Sequence, residues 1–295
     1  MHFLVTGASG FVGQHVVRAL LARGHRVTVS ATTLDHFARF EWASQVAVVP
    51  YRLTAQPEER DLYAYFGQPD AVIHLAWQGL PNYKASFHLD QNLFPQYLFL
   101  KNLIVHGLRD LTVTGTCFEY GMQSGCLSED VPAQPGNAYA LAKESLRTFL
   151  GTLQTEQPFV LKWARLFYMY GPGQNPNSIL PLLERAVAAG EPEFKMSGGE
   201  QLRDYLPVET VATYLSLIAE QTAVTGVINC CSGQPISVRR LVEEHLVRLK
   251  AQIDLHLGYY PYPDYEPMAF WGDNRKLNTI VAATTHSDSA QRPNR

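Results

Sequence analysis

His2-Phe3-Leu4-Val5-Thr6-Gly7-Ala8-Ser9-Gly10-Phe11-Val12-Gly13 joins a short apolar run to an amphipathic segment through a glycine-rich turn. The run HFLVT has the length and β-propensity of a buried strand, and the residues from Phe11 to Ala22 carry a helical period closed by Gly24. Three glycines at the strand-to-helix corner have separate tasks. Gly7 permits the tight turn, Gly10 lets the backbone approach a pyrophosphate, and Gly13 allows the helix to pack closely on the strand. The helix N-terminus then faces the anion. Ser9, Phe11 and Val12 complete the expected dinucleotide-binding turn.

Outward from this corner the chain alternates strand-like and helical stretches. RVTVS and VAVVP are followed by DAVIHLA and, after a long helix, by DLTVTGT. Another helix and the strand FVLKWARLF come next. Such alternation predicts an α/β fold, a Rossmann-type doubly wound parallel sheet with helices on both faces. After Tyr170 the pattern changes to the turn-rich GPGQNPNS and to GEPEFKMSGGEQLRDY, which has little periodicity. Val208 to Glu220 reads as a helix, GVINCCSG as a return strand, and SVRRLVEEHLVRL as an amphipathic helix capped by Ser237. The expected division is a dinucleotide-binding domain of residues 1–167 plus 207–231. A discontinuous substrate lobe, 168–206 plus 232–295, ends in a polar, mobile tail TTHSDSAQRPNR.

Composition narrows the function. With 295 residues, 46% hydrophobic and 17% charged, the chain can bury a large core. A net charge of −3 offers no basic footprint for nucleic acid. No apolar run reaches membrane-spanning length, and Met1 leads straight into a strand, so the expectation is a complete cytoplasmic protein. Cys117, Cys126, Cys230 and Cys231 lack metal-ligand spacing; no metal is expected, and Cys230 and Cys231 read as packed small residues.

Two tyrosine–lysine pairs stand four residues apart, Tyr97/Lys101 and Tyr139/Lys143. On a helix, such a pair shares one face. A cation beside a phenol favours the phenolate and should draw the tyrosine towards neutral pH, where it can exchange a proton with a carbonyl or alcohol. Only Tyr139 and Lys143 follow a strand-end threonine, Thr116, in GTCFEYG.

The turn TGASGFVG, the segment GTCFEYG, the pair in NAYALAKESL and the stretches RLFYMYGPGQ and GEQLRDYLPV together resemble the extended short-chain dehydrogenase/reductase family of nucleotide-sugar epimerases, dehydratases and ketoreductases. The resemblance runs to about residue 278. It implies that Tyr139 is the acid/base, that Lys143 is its partner and bonds the nicotinamide ribose, and that Thr116 orients the reacting oxygen. Hydride passes between nicotinamide and a sugar carbon. The expected cofactor contacts extend to Leu75, Ala76 and Phe167, and to Ser30 and Thr32 at the end of the second strand. With no carboxylate there before Asp35, NADP(H) is favoured and NAD(H) is the alternative. Arg52 replaces the family's adenine-reading aspartate.

For the substrate, the resemblance implies a nucleotide sugar whose diphosphate is gripped by Arg203. Trp77, Gln78, Thr116, Cys117, Phe118 and Tyr168 are expected around the sugar, with Asn177 and Arg275 adding contacts. Asn92 is expected to be a polar tie and His74 a packed strand residue. A 4,6-dehydratase carries Asp-Glu after its threonine; Cys117-Phe118 here argue against dehydration. Reduction of a nucleotide-linked 4-keto-6-deoxyhexose is expected ahead of 4-epimerisation. A non-catalytic NADP-sensing regulator is the reading from a different class. The resemblance also suggests a homodimer through paired helices.

Overall fold

The structure is a computed structural model. It describes residues 1–33, 37–56 and 59–290, with the backbone alone for 285–290. Strands β1 (His2–Thr6), β2 (Arg26–Ala31), β3 (Ala47–Pro50), β4 (Ala71–His74) and β5 (Asp110–Thr116) alternate with helices α1 (Phe11–Ala22), α2 (Leu62–Tyr65) and α3 (Phe94–Val105). The strand β6 (Gly125–Leu127) then leads into α4 (Ala138–Glu156) and β7 (Val160–Leu166). Next come β8 (Tyr168–Tyr170), α5 (Ile179–Ala188), β9 (Glu193–Lys195), β10 (Leu202–Pro207), α6 (Val208–Glu220) and β11 (Gly226–Cys230). The chain closes with β12 (Pro235–Ser237), α7 (Val238–Leu249), β13 (Asp254–His256), β14 (Phe270–Gly272) and α8 (Arg275–Ala290).

Seven strands form one parallel sheet in the order β11-β7-β5-β4-β1-β2-β3. The order reverses direction between β1 and β4, which opens a crevice at their carboxyl ends. Alternation along β1 sends Phe3 and Val5 to one face and Leu4 to the other. The first face packs Val16, Val17 and Leu20 of α1 against Val211, Leu215 and Ile218 of α6. The second packs Phe99, Leu100 and Leu103 of α3 with Leu146, Leu150 and Leu153 of α4. These faces read in the sequence as the two helical periods, and they make the sheet a rigid platform for its loops.

The later part departs from the sequence expectation in three ways. GEPEFKMSGGEQLRDY contains the three-residue strand β9 and most of β10. They pair with distant segments, β9 with β13, and β10 with β8 and β12. Residues 284–290 of the predicted tail continue α8, whose earlier turns are anchored in the core by Leu277 and Ile280. Residues 291–295 lie outside the described residues. Ser237 does cap α7, accepting a hydrogen bond from the Arg240 amide at 3.2 Å. No helix among the described residues is long and apolar enough to cross a membrane.

Candidate active site

The glycine turn is shaped by close backbone approach. Gly7 has φ of 69°, and a Cβ there would lie 2.8 Å from the Ala76 amide nitrogen. At Gly13 a Cβ would stand 2.1 Å from the Gly7 carbonyl oxygen. Gly10 caps α1 with no side-chain hydrogen bond to the first helical amides. Those amides are therefore left for an external acceptor, with the helix dipole adding positive potential. Thr6 braces the corner from below: its hydroxyl accepts from the Leu75 and Ala76 amides at 3.2 and 3.3 Å and bonds His74 Nδ1 at 2.9 Å. His74 Nε2 bonds Gln96 Oε1 at 2.7 Å, and burial pushes the imidazole down to about 3, so it is neutral. Ser9, Phe11 and Val12 are half-buried around this turn, Ser30 is half-buried at the end of β2, and Thr32 is exposed beyond it. The cradle of glycines and uncapped amides fits a dinucleotide pyrophosphate. Asp35 lies outside the described residues. Arg39 is exposed, its guanidinium over the Phe40 ring, and Arg52 is exposed too.

At the end of β5, Thr116 caps a short 3₁₀ turn, Cys117–Tyr120, by accepting from the Phe118 amide at 3.3 Å. Asn137 caps α4 through the Ala140 amide at 2.9 Å, and the Tyr139 amide donates to the Tyr83 carbonyl at 3.0 Å. These two caps set the Thr116 hydroxyl near the Tyr139 phenol, close enough to favour its phenolate against burial. One helical turn on, Lys143 is fully buried and donates to the Thr114 carbonyl at 2.8 Å. The three residues singled out in the sequence therefore converge.

The electrostatics differ from the expectation. Burial raises the Tyr139 phenol well above an ordinary tyrosine, with Glu119, Tyr83 and Cys117 pushing the same way and the Thr116 hydroxyl opposing them. Burial also draws Lys143 down to about 7. Desolvation by burial is the largest cause at both groups. Tyr139 is thus a protonated acid at neutral pH. By contrast, Tyr97 packs edge-on against Phe149, and Lys101 is exposed above the Tyr97 ring. That pair belongs to the packing of α3.

Trp77 and Gln78 follow β4 directly. The Trp77 ring lies 5.9 Å from that of Tyr139, and its indole donates to His88 Nδ1 at 3.0 Å. Asn92 is the polar tie anticipated, donating to the carbonyl of exposed Gln78 at 3.0 Å. Arg203 is buried: its guanidinium donates to the Leu202 and Met268 carbonyls at 2.8 and 3.2 Å and pairs with Glu266 at 3.4 Å. The Tyr168 hydroxyl also donates to Glu266. The Phe118 ring stands 6.2 Å from Tyr168 and 5.0 Å from Tyr83, while Cys117 and Phe167 are buried beside it. A hollow of about 560 Å³, lined by residues including Tyr83, Lys84, Phe87 and Tyr265, adjoins this aromatic group. Two further expected substrate contacts are exposed. Asn177 is exposed in the turn before α5, and Arg275 is exposed at the start of α8, held by Asp273 through bonds of 2.8 and 3.0 Å. Short polar loops gave no signal of which way these side chains point.

Residues 3–231 match the NAD dependent epimerase/dehydratase family. The chain belongs to that family. Among curated proteins, the chain is 30% identical over 276 residues to dTDP-6-deoxy-L-talose 4-dehydrogenase (NAD(+)) of Aggregatibacter actinomycetemcomitans, covering 92% of this chain and 99% of that protein. It is also 30% identical over 276 residues to GDP-6-deoxy-D-mannose reductase of Pseudomonas aeruginosa, covering 87% and 82%. The solved UDP-N-acetylglucosamine 4-epimerase from Methanobrevibacter ruminantium M1 superposes with a TM-score of 0.82 at 24% identity, covering 95% of this chain and 91% of that one, a likeness of fold.

Within this epimerase/dehydratase fold, several site neighbours were not legible in the sequence. His88 opens a π-helical turn, His88–Leu93, and its ring lies 5.3 Å from Tyr139. Glu119 sits three residues after Thr116, yet its carboxylate is turned inward. It accepts from the Thr116 amide at 2.8 Å and from Trp163 Nε1 at 3.0 Å, and it pairs with Arg165. Glu266 reaches Arg203 across 63 residues of chain. Glu119 stands within the segment GTCFEYG, but the sequence could not say which way it points. Among the described residues no cluster of histidine, cysteine and carboxylates could hold a metal ion.

Proposed function

We propose that this chain reduces the C4 ketone of a nucleotide-linked 4-keto-6-deoxyhexose to the alcohol. The observation that carries the reading is the buried Tyr139 phenol with the Thr116 hydroxyl near it and the Glu119 carboxylate engaged by Arg165. One hydroxyl and one phenol are placed to serve a single carbon–oxygen bond, and the nearby carboxylate is withheld from proton transfer. Cys117, whose thiol burial pushes up, and Phe118 offer no second acid or base, which disfavours dehydration. Kinship to a named 6-deoxy-talose 4-dehydrogenase and a 6-deoxy-mannose reductase points to the same class of bond.

A bound nicotinamide dinucleotide supplies the hydride. Gly7, Ser9, Gly10, Phe11, Val12 and Gly13 would hold its pyrophosphate, Leu75, Ala76 and Phe167 would flank it, and Ser30 and Thr32 would meet the adenosine ribose. Thr116 orients the carbonyl oxygen. Tyr139, kept protonated by burial, donates its proton to that oxygen as the alcohol forms. Lys143 supplies positive charge beside the phenol. Arg203 would exchange its Glu266 partner for the sugar diphosphate. The neutral end of β2 supports NADP(H), whereas the talose relative is named with NAD(+). Exposed Phe94 on α3 and Leu141 on α4 support a homodimer through those helices, to be checked by light scattering.

The decisive assay follows NADPH and NADH oxidation with dTDP-, GDP- and CDP-linked 4-keto-6-deoxyhexoses. Stoichiometric oxidation with one of them is expected. Interconversion of UDP-hexose C4 epimers with no added dinucleotide would replace this reading by epimerisation, which the same three residues could serve.

A further inference from the structure

The buried ammonium of Lys143 has an unusual neighbour. Its Nζ lies 4.2 Å from the centre of the Trp77 ring. An indole face attracts a cation through its quadrupole, most strongly where water is excluded. The ring is not free to swing away. Its Nε1–H donates to His88 Nδ1 at 3.0 Å, and His88 Nε2–H donates to the Asn82 carbonyl at 3.0 Å. That pattern fixes His88 as the neutral tautomer with its proton on Nε2. Asn92 stands 3.4 Å from the same Nδ1.

We propose that Trp77 is a positioning residue whose indole face, braced by His88, keeps the Lys143 ammonium charged and aimed, so that this pair sets the alkaline limit of activity. The role rests on the assignment of Lys143 under Proposed function and differs from the sugar contact expected of Trp77.

Every element around the ammonium contributes. Strand β4 presents neutral His74, the loop after it presents Trp77, and β5 presents the Thr114 carbonyl. The 3₁₀ turn presents Glu119, with Arg165 of β7 bound to it. The π turn presents His88, α3 presents Gln96 by way of His74, and α4 itself carries Tyr139 and, next to Lys143, Glu144. Glu119 favours the ammonium but is shared with Arg165, and Glu144 is bound by Arg147 and Arg165. Burial opposes the charge and brings the lysine to about 7, within the range where enzymes work. The ring favours the charged form, so removing it lowers the lysine pKa further. The ammonium is then lost at lower pH, and the alkaline limb moves in the acid direction.

The test reads the lysine itself. Protein carrying isotope-labelled lysine is titrated, and the Lys143 ε-carbon NMR resonance is followed, identified by its loss in Lys143→Met. Trp77→Leu is expected to lower the midpoint by roughly one pH unit, and the alkaline limb of kcat/KM should move with it. Trp77→Phe, which keeps an aromatic face but offers His88 no N–H, should give a smaller downward shift. A merely structural tryptophan would scale turnover and leave both midpoint and limb in place; an unmoved midpoint in Trp77→Leu overturns the proposal. If that variant does not fold, an unmoved midpoint in Trp77→Phe overturns it instead. The titration needs no substrate, so a wrong sugar assignment leaves its outcome intact.

Discussion

The Glu119 carboxylate holds the Arg165 guanidinium at 2.6 Å, with both side chains almost wholly out of water. Arg165 Nη1 is buried with no hydrogen-bond partner among the described residues, so this carboxylate is the main compensation for the arginine's charge. Replacing Glu119 with Gln would leave the buried cation only its longer contact with Glu144, at 3.5 Å. A loss of about 3–5 kcal/mol in unfolding free energy is expected, measured by urea denaturation. A catalytic Glu119 would behave differently, with Glu119→Gln retaining stability and losing turnover.

Tyr139→Phe removes the proton donor while keeping the ring that packs against Trp77 and Tyr83. Turnover should fall by about 10²- to 10⁴-fold, with little change in thermal midpoint. Tyr97→Phe, on the neighbouring helix, should keep turnover near wild type, because that ring packs on Phe149. Steady-state kinetics of the two variants decides between the pairs.

At the glycine turn, Gly13→Ala forces a methyl towards the Gly7 carbonyl and the Ala8 Cα, 2.1 and 2.7 Å away. Both are backbone atoms and cannot step aside cheaply. Overpacking of this kind costs about 1–3 kcal/mol, and here it also displaces the amides offered to the dinucleotide. Calorimetric titration should show affinity for the dinucleotide reduced by about tenfold or more. Gly136→Ala meets nothing within 4 Å and should leave the affinity unchanged.

His74 gives stability a pH dependence with a definite sign. Burial holds its folded pKa near 3, against 6.5 for the free side chain. Below pH 6.5 the unfolded chain takes up a proton that the folded chain does not, so stability falls as the solution is acidified. The slope approaches 1.36 kcal/mol per pH unit, or about 2 kcal/mol between pH 6.5 and 5. Denaturation of His74→Gln over the same interval should show a shallower slope. An unchanged slope would place the acid sensitivity elsewhere, at His2 or His88, whose values burial also lowers.

Arg203 is expected to act on substrate binding more than on the chemical step. Arg203→Met should raise KM for the nucleotide sugar by about ten- to a hundredfold, the loss of a hydrogen bond to a charged group. It should change kcat much less. A fall in kcat at constant KM would assign Arg203 to the support of Tyr168 through their shared Glu266.

Much of this protein was legible in local patterns. The glycine spacing from Gly7 to Gly13, the apolar runs of β1 to β5 and the helical period of α1 and α6 are short-range properties. They determined a doubly wound sheet with a dinucleotide cradle at its first corner. The order Thr116, Tyr139, Lys143 likewise singled out the tyrosine–lysine pair that lies beside the strand-end threonine, because strand ends and helix caps set side-chain direction locally. Tertiary structure alone decided the charge states and the partners. Tyr139 lies above its ordinary pKa, since desolvation depends on what covers the phenol, and that cover comes from Tyr83, Trp77 and Glu119. The seating of Lys143 over Trp77, the capture of Glu119 by Arg165 and the pairing of Arg203 with Glu266 join residues far apart in the chain. Periodicity carries no information about such pairs, because the contact exists only once the sheet has brought its loops together.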